Sequence, residues 1–438
     1  MNKLSELIEG RQAKIGIIGL GYVGLPLAIR FLERGFNVIG YDIDSSKITA
    51  LNAGKSYINH IDSKVIHSSI KNSTLEVTND ETKISEMDAI IICVPTPIDK
   101  YRVPDLKAVL ETTETISRNI SKNSLVCLES STYPQTTSHE LKPILDKSNL
   151  QLGDGYYLCY SPEREDPGNK DFSLHQIPKV LGSDDKNSLE CGKVLYESII
   201  DSVHIVSSSA TAEAVKLTEN IFRAVNISLS NELKIIYGEM GIDAWEVIDA
   251  ASTKPFGFMP FYPGPGVGGH CIPIDPFYLT YKAKEFGLPT RFIELAGEYN
   301  NLAIEHIISK ISFFLNQRIE KSISNSKILL LGLAYKKNID DMRESPSVHI
   351  LEKLLNLGGD VYYNDDFIKV FPKTREHLEL AGMKSIELSK ENISSFDACV
   401  LLTDHDYYDE KLILKNSKLV LDTRNFFKSK KENSLVKI

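Results

Sequence analysis

The sequence predicts an α/β protein made of two doubly wound units joined by a long central helix and a helical middle domain. Three observations lead there. Apolar, β-rich stretches alternate with helical patterns through the N-terminal part of the chain, the arrangement of a parallel sheet covered by helices. From about Ser208 one helical pattern runs unbroken through Met240, and near Lys327 a second alternation begins. The expected boundaries are 1–207, 208–320 and 321–438, and 438 residues suffice for domains that each bury their own core.

The first element is the run KIGIIGLGYVG at 14–24, an apolar strand leading into Gly19-x-Gly21-x-x-Gly24 and then an apolar-periodic helix through about Arg34. A second strand, Asn37–Tyr41, ends at Asp42. Strand, glycine turn and helix with an acid about 20 residues on form the dinucleotide fingerprint of a Rossmann unit. The first glycine makes the tight turn, the second admits the pyrophosphate to the helix N-terminus, and the third lets helix pack on strand. An isolated GxGxxG is weak; this context makes it specific. Asp42 favours NAD over NADP, because a carboxylate accepts from both ribose hydroxyls and repels a 2′-phosphate. Asp44 is the other acid within reach of that ribose, and Lys47 is either a solvated surface lysine or a cation near the adenosine end.

Further strands are expected at Ala89–Val94, Ser124–Leu128 and Tyr156–Tyr160, with a less distinct one at Val203–Val206. Ligands of doubly wound sheets sit at the carboxyl edge, so Val94–Pro97 and Glu129–Thr132 should face the cofactor. In the long helical stretch, Lys216, Asn220 and Arg223 stand at i, i+4 and i+7 and share one face, with Leu217, Ile221, Val225 and Leu229 opposite. Such a stripe fits either a solvated face or a ligand-facing one.

The third region opens with the strand ILLLGLAYK, followed by NIDDMRESPS, a helix from about Ser347 to Leu357, and the strand Asp360–Asn364 ending in acids. Strands at Ala398–Leu402 and Leu419–Leu421 complete it. It has the pattern of a mononucleotide-binding half without the full glycine fingerprint.

Between these regions lies PGPGVGGHCIPID at 263–275. Its glycines let the main chain approach a ligand closely around Cys271, which makes that thiol a candidate nucleophile; the alternative is a small buried hydrophobe. The other cysteines, at 93, 127, 159, 191 and 399, show no CxxC pairing or metal-ligand spacing, so neither disulfides nor a metal are expected. A net charge of −9 gives no electrostatic case for nucleic acid or an anionic membrane. No apolar run approaches the roughly 20 residues that span a bilayer, and the N-terminus lacks a signal-peptide core, so a cytoplasmic protein is expected.

These residues resemble the UDP-sugar 6-dehydrogenases of the UDP-glucose/GDP-mannose dehydrogenase family along nearly the whole chain. The resemblance rests on GLGYVGLP, VPTP at 94–97, ESSTYP at 129–134, SPERE at 161–165, VKLTEN at 215–220, the cysteine loop and GLAYKKNIDDMRESP at 332–346. It implies an NAD-dependent, four-electron oxidation of a sugar C6 alcohol to the carboxylate. Cys271 captures the intermediate aldehyde as a thiohemiacetal, a second oxidation gives a thioester, and water hydrolyses it. Lys216 and Asn220, one helical turn apart, suit the stabilisation of oxyanions at C6. The resemblance adds Asp275 to that network and Glu163 as the base or water-activating group, with Thr132 holding the water. Glu165 and Asp166 are the alternative carboxylates.

It further implies substrate contacts from Arg164, Glu165, Lys216, Asn220, Arg223, Gly268 and Lys336, and a cofactor-phosphate contact from Arg343. Tyr22, Val23, Thr96 and Thr132 would line the nicotinamide side. UDP-glucose enzymes usually carry a lysine where this chain has Ile274, and the cysteine here follows His270. SPEREDPGN and GGHCIPIDP look like the N-acetylhexosamine branch, and most like UDP-N-acetylglucosamine 6-dehydrogenases, whose products feed surface polysaccharides. UDP-N-acetylmannosamine and UDP-glucose are the alternative substrates. A single-hydride β-hydroxyacid-type dehydrogenase and a silent nucleotide-binding subunit are the rival classes. The family also implies a homodimer paired through the long helix.

Overall fold

The computed structural model describes residues 3–58, 61–99, 101–164, 174–269, 271–374, 377–428 and 432–438. They form two compact units, one comprising the chain to Glu219 plus Phe277–Pro289, the other Asn220–Pro276 plus Thr290–Ile438.

The first unit is built on an eight-stranded sheet. Its strands are β1 (Lys14–Ile18), β2 (Asn37–Tyr41), β3 (Leu75–Thr78), β4 (Ala89–Ile92), β5 (Ser124–Leu128), β6 (Tyr156–Tyr160), β7 (Lys179–Gly182) and β8 (Val203–Val206), in the order β3-β2-β1-β4-β5-β6-β7-β8. All neighbours are parallel except β6 and β7, where Tyr160 pairs antiparallel with Gly182. The order reverses between β1 and β4, the switch point where doubly wound sheets bind ligands. Alternate residues serve opposite faces. Ile15 and Ile17 of β1 join Leu27 and Phe31 of the helix Gly24–Glu33 in one core layer, while Ile18, Ile39, Ile90 and Ile92 join Val109 and Ile116 in the other. Each such side chain, wholly withdrawn from water, contributes about 1.5–3 kcal/mol.

The second unit carries the strands β9 (Lys327–Leu331), β10 (Asp360–Asn364), β11 (Ala398–Leu401), β12 (Val420–Asp422) and β13 (Leu435–Lys437), all parallel in the order β10-β9-β11-β12-β13. Ile328 and Leu330 face Ile350, Leu351 and Leu354 of the helix Pro346–Asn356 and Ile307 and Ile311 of the helix Arg291–Phe314. Pro346 starts its helix because its fixed φ suits a first-turn position.

The two alternations and the long helix, Ser209–Glu239, stand where the sequence pattern puts them. Three strands do not announce themselves in it. β3 is the four-residue LEVT, β7 begins at a lysine, and β13 is three residues long, so none offers enough apolar period to read. The antiparallel β6–β7 pair is likewise absent from a purely alternating pattern. Among the described residues, no helix is long and apolar enough to cross a membrane.

Candidate active site

The glycine turn after β1 is shaped by contacts that tolerate no side chain at two of its three glycines. Gly19 adopts φ +92°, and a Cβ there would lie 2.7 Å from the Cys93 carbonyl; at Gly24 it would lie 1.9 Å from the Gly19 carbonyl. Gly21 differs, since a Cβ would meet nothing within 4 Å. Its side-chain position opens on free space, which is the room a pyrophosphate needs. Tyr22 and Val23 lead into the helix Gly24–Glu33, which has no side-chain N-cap, so its end keeps the positive dipole that favours an anion.

Asp42, at the end of β2, is almost buried, and its Oδ2 accepts from Leu20 N at 2.8 Å, bracing the turn. Lys47 Nζ lies 2.9 Å from the same oxygen, so this lysine is tied to the acid. Asp44 instead caps the helix Ser45–Asn52 through Ser46 N. These features fit NAD. Glycine room for the pyrophosphate, an uncapped helix end and a carboxylate with lone pairs to spare are what its halves require.

The carboxyl edges of β4 and β5 carry the threonines. Thr96, buried, receives the Tyr278 hydroxyl on its carbonyl at 2.9 Å. Thr132, also buried, shares a hydrogen bond with the Thr136 hydroxyl at 2.6 Å. Just after them, the Glu213 carboxylate accepts from Gln135 N (2.6 Å) and from the amide and hydroxyl of Thr137 (2.8 and 2.7 Å). Burial outweighs those donors and pushes the Glu213 carboxyl up to about 7.

Glu163 stands at the carboxyl end of β6. Its Oε1 accepts from Arg164 N at 2.6 Å, its Oε2 from Lys179 Nζ at 3.3 Å, and its main-chain carbonyl from the Lys216 ammonium. Lys179 is buried and also meets Glu129 at 2.8 Å, whose other oxygen accepts from the Tyr196 hydroxyl at 2.5 Å. Burial alone would lower the pKa of Lys179, but Glu129 and Glu163 outweigh it and hold the ammonium charged. Arg164 pairs with Glu219 at 2.6 Å.

In the second unit, Asn220 donates to Asp275 Oδ2 at 2.6 Å and accepts from the Arg223 guanidinium. Cys271 is half-buried, and its carbonyl accepts from Asp275 N at 2.8 Å, which sets the thiol residue at the N-terminus of the helix Asp275–Lys284. Helix starts favour negative charge. The loop holding it docks on the segment 332–346. Gly269 N donates to Arg343 O at 2.9 Å, and a Cβ on Gly268 would lie 2.6 Å from that of Tyr335 and 2.8 Å from Glu344 O. Lys336 is half-buried in that segment, and the exposed Arg343 forks onto Asp341 with contacts of 2.7–3.1 Å.

The helix stripe is therefore not a solvated face at its first two positions. Lys216 and Asn220 are buried, whereas Arg223 is exposed. Within the first unit Glu163 and Lys216 come together, as do Thr96 and Thr132 with their hydroxyl partners. Within the second, Asn220, Asp275 and Arg223 form one chain of hydrogen bonds. Glu165, Asp166 and His270 lie outside the described residues. Sequence reasoning expected Glu129 to face the cofactor, whereas its buried carboxylate is held by Lys179 and the Tyr196 hydroxyl, and it missed Lys179, Glu213 and Arg424. The last stands after β12 with its guanidinium against the Gly264 backbone, where a Cβ would meet it at 2.5 Å. A single charged residue beside an apolar strand carries no period that would reveal such a partner.

Comparison with known proteins agrees with this geometry. Three models of the UDP-glucose/GDP-mannose dehydrogenase family match in order, the NAD binding domain at residues 13–200, the central domain at 210–302 and the UDP binding domain at 329–429. The chain is 36% identical over 427 residues to the protein CapL of Staphylococcus aureus, covering 96% of this chain and 97% of that one. It is 36% identical over 428 residues to a UDP-N-acetyl-D-glucosamine 6-dehydrogenase of Pseudomonas aeruginosa, covering 93% and 99%. Among solved structures, the UDP-D-ManNAc dehydrogenase of Pyrococcus horikoshii superposes with a TM-score of 0.86 at 29% identity, over 97% of this chain and 99% of that one. The chain thus belongs to the UDP-glucose/GDP-mannose dehydrogenase family and is a UDP-sugar oxidoreductase with an NAD-binding domain.

Proposed function

We propose that the protein oxidises the C6 alcohol of a UDP-N-acetylhexosamine, UDP-N-acetylglucosamine in the first reading, to the uronic acid in two successive steps through Cys271. The observation that carries this is the cysteine loop. It sets a half-buried thiol at a helix start, followed four residues on by an aspartate bonded to Asn220. A nucleophile there converts an aldehyde, which cannot give up a second hydride directly, into an adduct that can. Bound NAD supplies the hydride acceptor, held through Gly19, Gly21, Gly24 and Asp42.

The chain's own groups do the rest. Lys216 and Asn220 offer a cation and a neutral donor to the oxyanion at C6, and Asp275 orients the Asn220 amide. Glu163 takes a proton from the water that attacks the thioester, with Thr132 holding that water. Arg164, Arg223 and Lys336 supply cationic contacts to the nucleotide sugar, and Arg343 to the cofactor phosphates. The Pseudomonas aeruginosa relative and Ile274 in the lysine position of UDP-glucose enzymes support the N-acetylglucosamine reading. The similarity to the Pyrococcus horikoshii enzyme favours UDP-N-acetylmannosamine as the second.

Measuring NADH released from UDP-glucose, UDP-N-acetylglucosamine and its manno and galacto epimers tests both. Two NADH per N-acetylglucosamine molecule, with the highest kcat/KM, is expected. One NADH per sugar would overturn the cysteine route, and a manno preference would select the second reading.

A homodimer is part of the proposal. Phe222, Leu229 and Ile236 recur along the long helix, with Met240 just past its end, yet are 48%, 48%, 42% and 65% exposed, an apolar stripe that a second copy would cover. Light scattering should give about twice the chain mass, and Leu229→Asp should halve it.

A further inference from the structure

Lys179 has no place in the reaction as described, yet the fold keeps it charged in the core. It opens β7, is 4% exposed, and lies between two carboxylates, Glu129 at 2.8 Å and Glu163 at 3.3 Å. Removing a lysine from water costs several kcal/mol even in a relaxed protein, and a single carboxylate partner would suffice to neutralise it. Glu129 is that partner. It is wholly buried, and its second oxygen is taken by the Tyr196 hydroxyl at 2.5 Å. The reach toward Glu163 is surplus to the pair. Glu163 is the partner that can meet a reactant, since it lies in the segment that follows β6, which ends at Tyr160, on the carboxyl side where ligands bind.

We infer that Lys179 is a positioning residue: it fixes one oxygen of Glu163 and sets a cation against that carboxylate, the group that takes the proton. This rests on the reading of Glu163 as the hydrolytic base. In that step the water oxygen bonds to the thioester carbon, its proton passes to Glu163, the C–S bond breaks, and Cys271 leaves as thiolate. A carboxylate without its buried cation would protonate at a higher pH and lose that capacity in acid. Among the described residues, the groups facing Lys179 and Glu163 include Cys127 from β5 and Glu129 just after it, Tyr196 from the helix Lys186–Glu197, Cys93 after β4, and the Arg164 amide and Lys216 ammonium. Among the described residues of that set, Lys216 is directed at the main-chain carbonyl and Lys179 at the carboxylate.

The test follows the covalent adduct on Cys271 by intact mass in quenched single turnovers of the full-length enzyme with NAD and UDP-N-acetylglucosamine, across pH. Lys179→Met should move the acid limb of adduct decay upward, so that the defect grows about tenfold for each pH unit on that limb and shrinks in alkali. Lys179→Arg should keep the limb in place. Because Lys179→Met leaves the Glu129 charge buried without its cation, the double variant with Glu129→Gln repeats the experiment without that charge and should show a displacement in the same direction but smaller, since the repulsion from Glu129 is lost as well. A uniform loss at every pH, with the limb unmoved in both variants, would overturn the proposal. So would an arginine variant that shifts as methionine does. Glu163→Gln separates the two ideas: it should abolish the acid limb and stall the adduct. Wild-type decay in that variant would overturn the reading of Glu163, and with it the purpose assigned to Lys179.

Discussion

Asp42 and Asp365 perform the same act in the two units. Each follows the strand beside the one that opens its sheet, and each accepts, at 2.8 Å, the amide of the leucine that follows the first glycine of the turn, Leu20 in one case and Leu333 in the other. What differs is the remaining capacity. Asp42 meets a lysine on the rim, whereas Asp365 also binds the amides of Ala334, Phe367 and Ile368 and the buried His405 ring at 3.1 Å. Burial pushes Asp365 up, but His405 and the amides more than reverse that, holding it below the usual carboxylate range. One template has been left open to a ribose and the other closed by a histidine.

Cofactor choice should follow from the open one. Asp42→Asn keeps an acceptor for Leu20 N but releases Lys47, so NAD should weaken and NADP gain, by about 1–3 kcal/mol in combined preference. Steady-state kinetics with both cofactors will show it. An unchanged ratio would move the ribose contact elsewhere.

Cys271→Ala should release no uronic acid and form no adduct visible by mass, and Cys271→Ser should accumulate a slow ester, because a hydroxyl is a poor nucleophile at neutral pH. Near-native two-NADH turnover in the alanine variant would refute the covalent route.

Lys216→Ala should reduce turnover by roughly 10²–10³ with little change in substrate binding, as expected for a lost oxyanion donor. Asn220→Ala should act at the same steps. A double variant no worse than the poorer single would show that the two share one charge. A change confined to KM would make Lys216 a binding group.

Gly21 and Gly268 should fail differently when each is replaced by alanine. Gly21→Ala meets no atom of the protein, so thermal stability should hold within about 0.5 kcal/mol while NAD affinity falls. Gly268→Ala drives a methyl into Tyr335 and Glu344 O, and should destabilise the protein by about 1–3 kcal/mol as well as impair turnover. Calorimetry alongside NAD titration distinguishes them.

Glu213 gives a pH dependence of stability. Its folded value, about 7, lies above the ordinary carboxylate range, so the native state holds a proton that the unfolded chain has released. Stability is therefore full below the unfolded value near 4.5 and declines as pH rises toward 7. The cost is on the order of 3 kcal/mol. Apparent Tm measured across that range should fall in the wild type and fall less in Glu213→Gln.

The parts of this site that were legible are those whose meaning is local. Gly19, Gly24 and Asp42 are set by spacing along one strand–turn–helix, and Lys216 and Asn220 by the period of one helix. Lys179 and Glu129 are fifty residues apart and adjacent only because β7 turns antiparallel to β6, an event with no periodic trace. Glu213 is similar: its partners at Gln135 and Thr137 lie across the first unit in sequence, and an acid among apolar helix positions looks like any other surface charge.

The boundaries of the compact units have a practical consequence for recombining this enzyme with its relatives. Chain crosses from one unit to the other between Glu219 and Asn220, in mid-helix, and again between Pro276 and Phe277, two residues into the next helix, before returning at Pro289. A chimera that exchanges only the cofactor-binding half must therefore be spliced at three places, two of them inside helices where a one-residue slip rotates everything downstream by about 100°. Register-exact junctions, rather than loop fusions, are what would let a foreign sugar specificity be grafted onto this scaffold.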